Sequence, residues 1–238
     1  MTSTATAMAG PSGQTPSDEL SARMSMLGLR TPAARADLKS GLLGRLRVVC
    51  PHRSLTWAEA ERIADRQADL LRQELGLGSR PAIPTSGLLD LPFLTVTHHD
   101  QFPTSGMATK TGLGWVIVIR GDEPTVRQRF SLAHEIKHIV DDEMMIKLDG
   151  SLYPATPLYT AAERGERVAD RFAASLLMPR VLIRRDWGDG LQDPAVLARR
   201  YEVSRPAIEV RLRQLGLLQA TPRCATAART ERSGGQRG

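Results

Sequence analysis

The amino-acid sequence predicts an α+β protein, mainly helical, with a small sheet. Apolar residues recur at steps of three and four over several segments that open on Ser, Thr or Asp and close at Gly or Pro, as amphipathic helices do. Among them, Phe93–Thr97 and Trp115–Ile119 are short β-rich runs separated by Gly and Thr, enough for a small, partly antiparallel sheet. At 238 residues the chain can bury a sizeable core without disulfides or a structural metal.

Taken in order, residues 1–36 are rich in Thr, Ala, Ser, Gly and Pro with little periodicity and are expected to be a disordered extension. Leu38, Leu42, Leu46 and Val49 recur at helical spacing, interrupted by Gly41 and Gly44. A stronger helix begins at Thr56, which stands three residues before Glu59 as in a capping box, and carries the stripe Ile63, Leu70, Leu71 and Leu75 up to Gly76. After the two β-rich runs, helices are expected from Pro124 to about Asp142 and from Thr160 to Met178, where Pro179 stops the second. A last pair follows: Asp193 caps a short helix over 195–201, and Ser204 caps another that ends before Gly216. The expected organisation is a body over 37–179, a helical segment over 180–218 and a disordered basic tail over 219–238.

Composition excludes several function classes. Ten aromatic residues are poor material for stacking single-stranded nucleic acid. The longest aliphatic or aromatic run, Trp115–Ile119, is far short of a membrane-spanning helix, so no membrane association is expected. The N-terminal stretch lacks a basic leader and an apolar core, and Cys50 and Cys224 make no disulfide framework, so the cytoplasm is the expected compartment. Net charge is +6, but residues 1–179 hold 20 basic and 20 acidic side chains, while 12 Arg face 6 acids from Arg180 onward. An anionic partner, if there is one, belongs to the last quarter of the chain.

The strongest chemical signal is His134-Glu135-Ile136-Lys137-His138. On a helix the i, i+4 spacing puts both imidazoles on one face, able to share a tetrahedral Zn2+, while Glu135 can take a proton from a water beside the metal. Two surface histidines on an amphipathic helix would be the bland alternative, but Phe130, Ala133, Ile136, Ile139 and Val140 mark this helix as buried. A catalytic zinc site needs a third protein ligand, and Glu163, Glu166 and Asp170 are the candidates on the next helix. Glu166 shares a stripe with Ala169, Ala173 and Leu177, whose small alanines allow close approach to the first helix, and is preferred. Asp170 is expected either to orient a ligand histidine or to pair with a nearby Arg, and Glu163 to pair with Arg167. Tyr153 and Tyr159 are candidate oxyanion donors that read more simply as packing or surface residues, and His98 and His99 read as loop histidines.

Arg129-Phe130-Ser131-Leu132-Ala133-His134-Glu135-x-x-His138, followed by Glu166-x-x-Ala169-Asp170-x-Phe172-Ala173-x-x-Leu176-Leu177-Met178-Pro179, resembles the ImmA/IrrE family of metallo-endopeptidases. The likeness runs from about Thr56 to Leu218 and includes Ser105-Gly106 before a hairpin. It implies a zincin-like metallopeptidase fold, zinc on His134, His138 and Glu166, and Glu135 as catalytic base. It also implies a task, cleavage or inactivation of a transcriptional repressor in stress responses or mobile-element control. Lys137 stands where many members have Gly and is expected to crowd the cleft wall.

Leu197 to Ile208 has the outline of a helix-turn-helix, with Ser204 capping a second helix that presents Arg205, Arg211 and Arg213 and buries Ile208, Leu212 and Leu215. Glu202 at the turn and Glu209 among the arginines depart from a DNA-reading pattern, and family members carry a similar segment as part of the fold. Two readings therefore remain at this point: a zinc peptidase acting on a regulatory protein, and a DNA-binding regulator with a structural or vestigial metal site.

Overall fold

The computed structural model describes residues 41–112 and 114–218; the expected disordered ends, Leu38 and Cys224 lie outside them. Among the described residues eight helices and three strands follow one another: α1 (Leu42–Arg47), α2 (Trp57–Glu74), α3 (Thr85–Leu89), β1 (Leu94–His99), β2 (Gly106–Thr111), β3 (Gly114–Arg120), α4 (Thr125–Lys147), α5 (Ala161–Leu177), α6 (Arg180–Gly188), α7 (Pro194–Tyr201) and α8 (Arg205–Gln214). The chain is thus a mostly helical α+β protein with a three-stranded mixed sheet, in the order β1-β3-β2. β3 lies in the middle, parallel to β1 with Val96 opposite Ile117 and antiparallel to β2 with Ala108 opposite the same Ile117. A central strand is buried on both faces, which is why Trp115–Ile119 is a continuous apolar run rather than an alternating one.

Local chemistry explains where the long helices start. Thr56 and Glu59 form the expected capping box, with Thr56 Oγ1 accepting from the Glu59 N–H and the Glu59 carboxylate accepting from the Thr56 N–H. Thr160 and Glu163 build the same box on α5. Glu163 is therefore spent on the cap rather than on Arg167. α4 runs five residues beyond Asp142, to Lys147, because Met144 continues its buried face.

The apolar face of α2 differs from expectation. Ala60, Ala64, Ala68 and Leu71 are buried, while Ile63 and Leu70 stand half-buried at the margins. α2 packs along α5, and a methyl-sized stripe on α2 lets the two axes come close, leaving the larger aliphatics to fill the flanks. One ion pair clamps this contact: Arg171 of α5 donates Nε and Nη2 to the two Asp65 oxygens at 2.7 and 2.6 Å, and Ser175 adds a third donor. Burial alone would raise the Asp65 carboxyl, but these donors outweigh it and hold it below its ordinary value.

The last helices pack on the same hydrophobic core as the rest, through Leu197, Tyr201, Ile208 and Leu212. Asp186 of α6 accepts from Tyr201 Oη at 2.8 Å and Arg200 Nε at 2.6 Å, fastening α7. Arg211, expected on a presented face, is 2% exposed and donates Nε to the Met178 carbonyl at the end of α5. Glu202, left-handed at φ 52°, pairs with the buried Arg129 of α4. No helix among the described residues is long and apolar enough to cross a membrane.

The Asp65 clamp makes a pH-dependent prediction. A depressed carboxylate stabilises the fold above its unfolded pKa and loses that contribution as pH falls through the folded value. Asp65→Asn is expected to cost about 1–2 kcal/mol at pH 7, discounted for partial exposure. In urea melts the deficit against wild type should shrink steadily below about pH 4.

Candidate metal centre

His134 and His138 lie one turn apart on α4, and Glu166 reaches them from α5. Ala133, Ala169 and Ala173 are fully buried where α4 packs on α5, and their small side chains favour a close approach. His134 Nε2 stands 3.0 Å from His138 Nε2 and 3.1 Å from Glu166 Oε2, and His138 Nε2 is 3.4 Å from Glu166 Oε1. Each residue offers one ligand atom, and the three lie within 4.8 Å of one another, a group that could hold a metal ion. Ligand atoms about 2.0–2.2 Å from a tetrahedral ion stand about 3.3 Å apart, so the observed separations fit such an ion.

Protonation agrees with that fit. An ionised Asp170 can only accept, so the 2.9 Å contact from its Oδ1 fixes the hydrogen of His134 on Nδ1 and turns a lone pair on Nε2 toward the site. Burial depresses the His134 imidazole, yet the Asp170 bond and the surrounding carboxylates raise it above its ordinary value. A hydrogen bond with His138 draws the Glu166 carboxyl down to about 2, against desolvation. The pocket favours a cation among its acceptors, whether proton or metal.

Glu135 points to the sheet side of the same cleft. Its Oε2 accepts from the Ala108 N–H of β2 at 3.0 Å, and burial raises its carboxyl above the ordinary value, against the pull of His138, His134 and that N–H. Gly106 eases this approach. A β-carbon there would stand 3.1 Å from Glu135 Cγ and 3.3 Å from Oε1. The cleft that holds these groups has a volume of about 680 Å³ and is bordered by edge strand β2.

Several expected residues lie elsewhere. Lys137 does not crowd the cleft: it turns into the interior, 1% exposed, ion-paired with Asp141 and donating to Gln67 Oε1 at 2.8 Å. Tyr153 donates to the same Asp141 and belongs to this buried network, not to the cleft. Tyr159 lies under the Arg167 guanidinium, 4.4 Å from ring centroid to Cζ. His98 and His99 end β1 rather than occupying a loop, and neither joins the metal group. Two supports went unnoticed in the sequence. The Thr160-x-x-Glu163 spacing could have flagged the α5 cap, whereas nothing local marks the Ala108 amide as the partner of Glu135.

The chain belongs to the Peptidase_M78 family, described as the IrrE N-terminal-like domain, whose pattern matches residues 93–213. That span contains every residue of the centre but begins later than the likeness read from the motifs, leaving out α2. The family is one of metallopeptidases. No curated protein matches the chain. Among solved structures, a Mycobacterium tuberculosis transcriptional regulator is similar, with 16% identity and a TM-score of 0.45, over 72% of this chain and 51% of its own. This chain therefore spans about half the length of that protein.

Asp170→Ala should leave the fold intact, since its side chain is largely exposed, and weaken metal binding about 10- to 100-fold. Competition with a chromophoric chelator measures this directly.

Proposed function

We propose that the protein is a zinc-dependent metallo-endopeptidase that hydrolyses a peptide bond in a regulatory protein, specifically a helix-turn-helix transcriptional repressor, in the cytoplasm. The observation that carries this reading is the convergence of His134, His138 and Glu166 beside a buried, oriented Glu135 in one cleft. Membership of a metallopeptidase family supports the chemistry. The choice of repressor rests on the resemblance to the ImmA/IrrE family alone.

A zinc ion held by His134, His138 and Glu166 would supply Lewis acidity, polarising the scissile carbonyl and lowering the pKa of water toward about 7. The residues of the chain do the rest. The Ala108 N–H holds Glu135 Oε2, which leaves Oε1 facing the space opened by Gly106, where it takes the proton of the attacking water and returns it to the departing amine. The raised affinity of this carboxyl for a proton suits a group that must accept one and then release it. Asp170 keeps His134 in the tautomer that offers Nε2. β2 is an edge strand along the cleft, suited to aligning an extended peptide by main-chain hydrogen bonds.

DNA binding by the C-terminal helices is the weaker reading. Arg211 is buried on Met178, and Arg205 and Arg213 both contact Glu209, so the helix offers a phosphate backbone little free charge.

Glu135→Gln is expected to retain one zinc per chain by elemental analysis and to lower kcat by about 10²–10⁴. Equal loss of a co-expressed repressor with wild type and Glu135→Gln would refute catalysis at this site. Gly106→Val, which crowds Glu135 without touching a ligand, is expected to lower kcat at unchanged zinc content, read in the same two assays.

A further inference from the structure

A second concavity, about 660 Å³, opens beside the metal cleft. The two share Arg127, Phe130 and Asp170, so one runs into the other. Much of its lining is apolar: Trp57 from α2, Val126 and Phe130 from α4, Met178 after α5, and Pro206 and Val210 from α8. Val210 is 49% exposed, an apolar side chain turned toward solvent on the wall. The C-terminal helix pair thus builds one side of a groove whose other side is the peptidase body.

The charges around this groove are mostly positive, and they are not equally committed. Arg171 is bound to Asp65 and Arg211 to the Met178 carbonyl. Arg167 is different. Its guanidinium stacks over the rings of Trp57 and Tyr159, at 5.7 and 4.4 Å, and meets no carboxylate among the described residues. Among the described residues Arg127 holds a 3.9 Å contact with Glu123 and donates to the Ser105 hydroxyl. Of the acids at the groove, Glu61 faces Arg171 and Asp170 is bound to His134. A stacked arginine is held in place with its edge donors still free for a carboxylate.

We infer that this groove is a substrate-docking subsite that takes a segment of the polypeptide next to the bond to be cut, one in which apolar residues are flanked by Asp or Glu. The inference rests on the peptidase reading and extends it to the substrate's chemistry. Apolar side chains fill the floor between α4 and α8, and carboxylates of the segment meet Arg167 and Arg127 at the rim. The ion pair of Glu202 with Arg129 fixes the α8 wall relative to α4. An apolar floor favours polypeptide over a phosphate backbone, which needs a row of free cations instead.

The test uses the full chain carrying Glu135→Gln, so that binding is read without hydrolysis. Two fluorescein-labelled dodecapeptides serve as probes, one with Leu and Phe alternating with Asp and Glu, the other with Lys at every acidic position. By fluorescence anisotropy the acidic peptide should bind at least tenfold more tightly than the Lys peptide. Arg167→Glu and the exposed Val210→Glu should each lose that preference, at unchanged zinc content and circular dichroism. Val181→Glu, at 75% exposure still more solvent-facing but outside the groove, should keep it. Equal binding of the two peptides, or full affinity in both groove variants, would overturn the inference. So would salt-sensitive binding of a fluorescein-labelled DNA duplex that Val210→Glu abolishes. The two readings fail separately: groove-dependent binding alongside equal loss of a co-expressed repressor with wild type and Glu135→Gln upholds the groove as a polypeptide-binding surface and sinks the peptidase. Hydrolysis with an unchanged kcat/KM in both groove variants does the reverse.

Discussion

The close approach of α4 and α5 is the constraint on which the site depends. A three-ligand centre drawn from two helices needs donor atoms about 3 Å apart, and the buried, small Ala133, Ala169 and Ala173 favour the approach at which Glu166 reaches both imidazoles. The same approach puts Asp170, one turn along α5, against His134 Nδ1. Ligand and orienting carboxylate are thus set by a single helix face. A larger side chain anywhere on that seam would separate both from the histidines together.

Around this seam the fold is braced from behind. Lys137, within the metal-binding motif itself, turns away from the cleft and spends its charge on Asp141, Gln67 and Tyr153 in the interior. Removing one partner of such a buried pair leaves an uncompensated charge, so the network favours one placement of α4 over its alternatives. α2 holds α5 from the other side through Asp65, Arg171 and Ser175. Glu135 depends on a third element. The β2 backbone both orients Glu135 through Ala108 and makes room for it at Gly106.

The C-terminal helices show how charge in a sequence can mislead. Their arginine excess resembles a nucleic-acid face, yet Arg211 caps the end of α5 from the interior, Arg200 bonds Asp186, and Glu202 reaches back to Arg129. Arg211 thus binds the body, while Arg200, Arg205 and Arg213 pair with acids of the segment itself. What remains open is a largely apolar groove with a few cations at its rim.

Much of the helical framework was legible in the sequence, because capping boxes and Pro or Gly stops act within a few residues. The His134-Glu135-x-x-His138 spacing declared a shared face for the same reason, and the small residues beside Glu166 singled it out among three acids. Tertiary structure alone decided which way Lys137 and Arg211 point, which partner Asp170 takes, and that a strand amide sets Glu135. Each of these turns on contacts between elements distant in sequence. Local periodicity says that a side chain faces inward or outward, but a long cationic side chain can do either, and only the groups waiting at the far end determine which.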